Sequence, residues 1–421
     1  MQWRFSWHRS FFTSLLICSL LAIVLAACGG TTSQGSQPPV KLKFVSWIGG
    51  DQLKAYKDVI KRFEAANHNI TVDYEVIPYQ QLGAQLKARL NAGNAPDVMG
   101  LFAGSFKDQF VNAGSLADLS NEPWVSRLVP SAKPSAMTSD GKKVVVMPVS
   151  LSAVAVIYNK KVFAAHNLAI PTTWQEFLQV CEKLKQAGVA PITMGAKDTW
   201  PLAYIPDTMT IQSVYKDTPG FGSDVQAGKA SFAESTGWQQ ALKDTQALNT
   251  AGYLPRTILG TSYQDSEDML ATGKAAMTIS GQFSVASAKQ TNPAVDLGMF
   301  PMPYTADRAV TTYVDVTLGV AKTSKHVEEA KKFLQFFADA QNASQYLSAV
   351  GSFSPFSGIT PDLDPAMKQL VPFMQASSRD LLLIAYPGTA NDTLEKGIQA
   401  MWAGTESPSQ VLQDMDKSTK S

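Results

Sequence analysis

Between Val40 and Phe102 the hydrophobic period of the chain switches back and forth between that of a strand and that of a helix. Val40 to Ser46 (VKLKFVS) begins by alternating apolar residues with lysine, the two-residue period of a strand. Trp47 ends that run and Gly49-Gly50 breaks it. Asp51 to Ala66 then sets Leu53, Tyr56, Ile60 and Phe63 on one helical stripe. Ile70 to Ile77 alternates again until Pro78. Leu82, Leu86 and Leu90 stripe a second helix that Gly93 closes, and Asp97 to Phe102 is a short third strand. A β-α-β-α-β order implies parallel strands with helices on their faces. In such sheets ligands sit outside the carboxyl ends of the strands, where Trp47 and the Phe102–Ser105 loop fall.

A chain of 421 residues exceeds one ordinary core, so two or three domains are expected. Val144 to Phe163 (VVVMPVSLSAVAVIYNKKVF) marks where the first gives way to the next. Its β-branched opening favours a buried strand, Met147-Pro148 ends that strand, and a second apolar run follows from Val154 to Tyr158. Later, Thr172 can cap a helix carrying Phe177, Val180 and Leu184 on its buried stripe, with Gln175 bonding back. Val189 to Gly195 is a strand leading into a loop, Ala196 to Pro206, that holds Trp200 and Tyr204. Pro219 to Ala230 reads as a further loop. Gln264 to Ala271 is a helix whose Asp265, Glu267 and Asp268 read as a solvated polar start. The strand after it ends at Gly281, with Gln282 and Phe283 at its carboxyl end.

The order of several short segments resembles the bacterial extracellular solute-binding proteins that feed ABC importers, the carbohydrate-type family. They are Gly93 to Val98, Gly114 to Leu119, the Val144–Phe163 crossing, Pro171-Thr172-Thr173-Trp174-Gln175-Glu176-Phe177, Gly273-Lys274-Ala275-Ala276-Met277-Thr278-Ile279-Ser280-Gly281, Pro301-Met302-Pro303, Val350 to Pro355, and Trp402 to Pro408. The resemblance implies an α/β, two-lobed periplasmic-binding-protein-like fold of type II, each lobe a mostly parallel sheet flanked by helices. It implies a first lobe over 40–152, a second over 153–312, a return to the first over 313–350 through a second crossing at Tyr313 to Ala321, and terminal helices over 351–421 packing mainly on the second lobe.

The N-terminal segment reads as a secretion signal. Residues 1–27 carry Arg4 and Arg9 and no acid, Phe11 to Val24 is apolar, and Leu25-Ala26-Ala27-Cys28 is a small-residue cleavage site. L-A-A-C resembles a lipobox, which implies that Cys28 carries a diacylglycerol and anchors the protein to the membrane from outside. Gly29 to Pro39 is a flexible tether by composition. Cys18 leaves with the signal, so Cys181 stands alone as a buried, inert thiol. Setting Arg4 and Arg9 aside leaves 34 of the 36 basic residues against 35 acidic ones, a balance unsuited to nucleic acid.

Catalytic patterns are absent. His68, His166 and His326 have no partner at metal spacing, there is no G-x-S-x-G or H-E-x-x-H, and Gly273-Lys274 lacks the rest of a phosphate loop. No cofactor or metal is expected. What stands out is aromatics with polar neighbours at loop positions. Flat rings cover the C–H faces of a sugar, and polar groups meet its hydroxyls. The candidate ligand residues are Trp47, Phe102, Ser105, Ser152, Trp200, Gln282, Phe283, Tyr313, Asp315, Phe353 and Tyr386. By resemblance, Phe283 takes the place of a sugar-stacking tryptophan of maltose-type relatives. Trp200 matches a similar segment, and Ser152 stands where those relatives carry an acid. The expected function is a monomeric, lipid-anchored binding protein that captures a small carbohydrate and docks on the permease subunits of an ABC importer. The alternatives are another cargo on the same fold (glycerol phosphate, peptide, polyamine or metal chelate), a surface glycosidase, or a sensor partner. An anionic cargo would call on Lys197 and Arg308.

Overall fold

The computed structural model describes residues 38–49, 52–381, 386 and 388–419. Cys28, the signal segment and nearly all of the tether lie outside the described residues. The alternating Val40–Ser46 segment forms β1, paired in parallel over its whole length with β2 (Ile70–Val76) and, on its other side, with β3 (Val98–Phe102). The helices Gln52–Ala66 and Tyr79–Asn91 connect these strands. Tyr56, Ile60 and Phe63 face inward as the stripe predicts, joined by Ala55 and Val59. Phe63 meets Phe333 at a ring separation of 5.0 Å, where the helix Val327–Phe337 folds back onto this lobe.

The short strand β4 (Val146–Pro148) closes one edge of this sheet, a position where proline loses no ladder bond. The chain then enters a second sheet through β5 (Leu151–Asn159), whose nine residues are all buried. That sheet also holds β6 (Ala190–Thr193), β7 (Ala275–Gly281), β8 (Leu297–Phe300), β9 (Val310–Val314) and β11 (Ser378–Asp380). The chain returns to the first sheet by β10 (Val316–Val320). The strand orders are β2-β1-β3-β10-β4 and β11-β9-β5-β7-β6, with β8 also on β5. A strand covered on both faces reads as a continuous apolar run, and β5 serves two cores by alternation. Val154, Val156 and Tyr158 face one that the helices Trp174–Gln186, Thr236–Thr250, Ala390–Trp402 and Pro408–Ser418 complete. Ala153, Ala155 and Ile157 face the other, with Leu270, Val285 and Met367.

Two features differ from the sequence reading. The sheets are mixed rather than mostly parallel: β10 runs antiparallel to β3 and β4, and β5 runs antiparallel to β7, β8 and β9. The reason is the crossing itself. A strand arriving from the opposite lobe enters each sheet pointing away from the cleft, against the strands that end there. The changeover points also move. The chain passes between sheets at Val149-Ser150 and at Asp315, so Ser152 and Tyr313 both belong to the second sheet. The two passes lie side by side as one antiparallel ribbon, with Val149 N–H donating to Val316 O at 2.9 Å between them. A third pass bridges Phe353 to Leu151. Smaller corrections concern caps and loops. Thr173, not Thr172, caps the helix Trp174–Gln186, and Glu176 rather than Gln175 bonds back. Phe221–Gln226, inside the expected 219–230 loop, is a short helix.

Candidate functional site

The carboxyl ends of β1, β2 and β3 carry one group of rings. Trp47 follows β1 in a turn held by Ile48 N–H donating to Ser46 Oγ and by the Tyr74 hydroxyl donating to Ile48 O at 2.7 Å. Its ring lies 5.8 Å from Tyr79 and 6.3 Å from Phe102. Phe106 backs Tyr79 at 5.5 Å. Tyr79 is 42% exposed, rare for so large an apolar side chain. Ser105 opens the helix Ser105–Asn112 beside this wall.

The second lobe answers with a wall of its own. Trp200, 37% exposed, lies 5.9 Å from Tyr204, 5.1 Å from Tyr263 and 6.0 Å from Phe283. Two glycines make this packing possible. A Cβ at Gly281 would run into the Phe283 ring, and one at Gly195 would come within 2.6 Å of the Tyr263 backbone. Behind the rings runs a polar network. The Tyr263 hydroxyl lies 3.2 Å from Ser284 Oγ, which lies 2.7 Å from Ser280 Oγ and 2.9 Å from Glu267 Oε1. Glu267 is 0% exposed and its Oε2 has no partner among the described residues. Burial pushes this carboxyl up to about 8, so it is neutral at pH 7. The reading of Glu267 as part of a solvated helix start is therefore wrong. Asp265 keeps that role by capping with Ser262, whereas Glu267 points inward against the Phe283–Thr291 helix.

The interlobe ribbon forms the floor. Tyr313 pairs with Ser152 across the ribbon, and burial pushes its phenol well up. Gln282 is committed to structure: its Oε1 accepts from Ala153 N–H at 2.9 Å and its Nε2 donates to Ser152 Oγ at 3.2 Å. Asp315, the single residue between β9 and β10, is half-buried, and burial raises its carboxyl to about 6. Register sets Phe102 opposite Val316, the residue after Asp315, and Gly281, two residues before Phe283, opposite Val154, so the strand ends that carry rings of each wall flank this crossing.

Of the sequence candidates, Trp47, Phe102, Trp200, Phe283, Tyr313 and Asp315 are thus gathered around one crevice, with Ser152 and Gln282 beneath it. Two are placed elsewhere. Phe353 is 4% exposed and packs in the core shared by Leu151 and Ala153. Tyr386 donates to the buried Asp207 and lies against Phe232 and Trp238 inside the second lobe. Tyr79, Tyr204 and Tyr263 are additions. Tyr79 follows Pro78 at the end of β2, so the strand-end rule already pointed to it.

The two basic residues considered for an anionic cargo are placed differently. Lys197 is exposed, and Arg308 lies over the Phe373 ring at 5.1 Å, before the start of β9 and so at its far end from the crossing. A surface groove along β1 and β2 is lined by Lys43, Asp73, Glu75 and Arg89, but these are already engaged: Arg89 with Glu75 at 2.6 Å, Asp73 with Lys41 at 2.9 Å, and Lys43 with Asn94 Oδ1 at 3.2 Å. Among the described residues there is no group of three His, Cys, Asp or Glu able to hold a metal. Cys181 is buried and free, and burial pushes its thiol well up.

A two-lobed α/β scaffold, strand-crossed, with ringed walls over a polar floor, defines a binding protein that closes on a small solute. The chain belongs to the bacterial extracellular solute-binding protein family, whose model matches residues 49–344. It is 24% identical over 362 residues to the multiple sugar-binding protein of Streptococcus mutans, covering 84% of each chain. It is 23% identical over 362 residues to the melibiose/raffinose/stachyose-binding protein of Bacillus subtilis, covering 83% of this chain and 82% of that one. Among solved structures, apo RafE from Streptococcus pneumoniae superposes with a TM-score of 0.76 at 20% identity, covering 92% of this chain and 98% of that one. The first two are named as sugar-binding proteins, and the chain is a solute-binding protein and not an enzyme. The family is extracellular, and among the described residues no helix is long and apolar enough to cross a membrane.

Proposed function

We propose that the protein captures a neutral sugar or oligosaccharide in the crevice between its lobes and hands it to the permease of an ABC importer. It does so as a monomer held to the outer face of the membrane by lipid on Cys28. One observation supports the reading: each lobe carries its own group of rings, and strand ends that bear them flank the crossing at Tyr313 and Asp315. Rings on both sides suit a ligand with two C–H faces, and the floor supplies acceptors for its hydroxyl edge. The names of the relatives, sugar-binding in each case, support the same class of cargo. A ligand that touches both walls favours the closed lobes through its differential affinity, which is what a permease can read.

Trp47, Phe102 and Tyr79 would stack from the first lobe, and Trp200, Tyr204, Tyr263 and Phe283 from the second. Glycerol phosphate and other anionic cargoes fit less well, because Arg308 stands at the far end of β9 from the crossing, where the acid Asp315 sits instead. The test is a thermal-shift screen of the protein against monosaccharides, oligosaccharides and glycerol phosphate. A bound sugar at a hundred times its Kd adds about 2.7 kcal/mol to stability and raises Tm accordingly. A shift with glycerol phosphate and none with sugars would overturn the reading. Hydrolysis of a glycoside that is lost on replacing a crevice carboxylate would replace it with a glycosidase.

A further inference from the structure

Among the described carboxyl groups that are buried or half-buried away from the surface, Asp315 stands apart. Asp97 accepts from Lys43 N–H at 2.7 Å, Asp207 from the Tyr386 hydroxyl, Asp380 from Ser135 Oγ at 3.0 Å, and Asp416 from Phe232 N–H at 2.7 Å. Glu267 has Ser284. Asp315 has no hydrogen bond or ion pair among the described residues, and it stands at the crossing between Val314, which pairs with Leu151 of the second sheet, and Val316, which pairs with Phe102 of the first wall. We propose that the Asp315 carboxylate is the acceptor for a hydroxyl pair of the bound sugar, that it turns away anionic sugars, and that it makes capture proton-coupled.

The proposal rests on the sugar-binding reading and specifies its chemistry. An ionised carboxylate accepts through two oxygens and donates nothing, so it matches two neighbouring hydroxyls. A half-buried acceptor without a partner in the empty protein is one that a ligand can satisfy at full strength, because no internal bond has to be broken first. The groups that act electrostatically with it come from five elements: Tyr313 on its own crossing, Tyr204 and Tyr79 from the two walls, and Tyr56 and Tyr346 from the helices Gln52–Ala66 and Ala340–Val350. All are phenols, held neutral by burial, and no lysine, arginine or histidine enters among the causes of its raised pKa. A second negative charge brought by a uronate or a phosphate would meet this carboxylate with no cation to offset it.

The proton follows from the same arrangement. Desolvation alone lifts Asp315 to about 6, and a protonated carboxyl gives up one acceptor oxygen to an O–H. Binding that requires the ionised form is independent of pH above about 7. It weakens toward about tenfold per pH unit below 6, with a proton released on capture in that range. Acidification would then unload the site.

The experiment is titration calorimetry of the full protein with raffinose, melibiose, galactose and galacturonate between pH 4.5 and 8. The expected result is a Kd that is flat above pH 7 and about tenfold or more weaker at pH 5. At pH 6 the heat should depend on buffer ionisation, and galacturonate should fail to bind. In Asp315→Asn the slope should vanish, with binding at pH 7.5 weakened about tenfold, and galacturonate should gain relative to galactose. Its melting temperature at pH 7.5 should match or exceed the wild type, because a buried unpaired charge has been removed. A flat wild-type profile, or a slope retained in Asp315→Asn, overturns the proposal while leaving sugar binding intact. No heat with any sugar at any pH overturns both.

Discussion

The two walls of the crevice do the same task with different support. In the first lobe Trp47, Tyr79 and Phe102 stand at three strand ends and brace one another ring against ring, with Phe106 and Phe110 behind them. In the second lobe the rings sit on helix starts and loops, and a buried network of Ser280, Ser284 and the neutral Glu267 steadies Tyr263 from behind. Parallel strands deliver side chains to one edge at regular spacing, so the first wall is assembled by its sheet. In the second wall only Phe283 follows a strand end so closely, and hydrogen bonds steady Tyr263, at the expense of an acid held in apolar surroundings. Rings alone make a wall insensitive to pH; a network with a buried acid does not.

The largest expected effect tests that last difference. The folded carboxyl of Glu267 titrates near 8, above its ordinary 4.5, so its contribution is fully present below pH 4.5 and is lost as pH rises to 8. The full span amounts to about 5 kcal/mol. Glu267→Gln keeps the shape and removes the titration, so its stability relative to the wild type, from denaturant unfolding, should climb from pH 5 to pH 8. Asp207, also raised to about 8, titrates in both proteins and cancels. A constant difference would place no acid behind the wall.

Ring deletions come next. Trp47→Ala and Trp200→Ala should each weaken sugar binding about tenfold to a hundredfold by calorimetry. They should part company in stability. Trp47→Ala loosens two neighbouring rings and should cost about 1–2 kcal/mol. Trp200, more than a third exposed on a wall supported from behind, should cost about 0.5 kcal/mol or less. Equal losses would dissolve the contrast between the walls. The smallest effect is a single hydroxyl. Tyr263→Phe cuts the link to Ser284 and should cost about 0.5–1.5 kcal/mol, whereas the exposed Tyr79→Phe should stay within about 0.5 kcal/mol of the wild type.

How far the crevice could be read from the chain depends on where each residue sits. Trp47, Phe102 and Phe283 follow strand ends that local period and glycine breaks reveal, and Trp200 lies in a polar loop after β6. Tyr79 obeys the same rule and was within reach. Tyr263 was not. It joins the wall because Gly195, 68 positions earlier, lets its backbone approach, and no local pattern records a contact of that span. Glu267 misled because an acid near a helix start is ordinarily solvated, and its inward face is set by which strand the helix lies on. Phe353 and Tyr386 carry the same aromatic signal as the wall residues, yet the third crossing and the second-lobe core absorb them.

The amino-acid sequence by itself settled the alternation of strands and helices and the family, and it marked a crossing within Val144–Phe163. These are local: side-chain period and backbone breakers act over a few residues. Only the tertiary structure decided which rings stay uncovered, which acids are neutral, and that Asp315 stands unpaired at the crossing. Exposure, desolvation and pairing are set by neighbours far away along the chain.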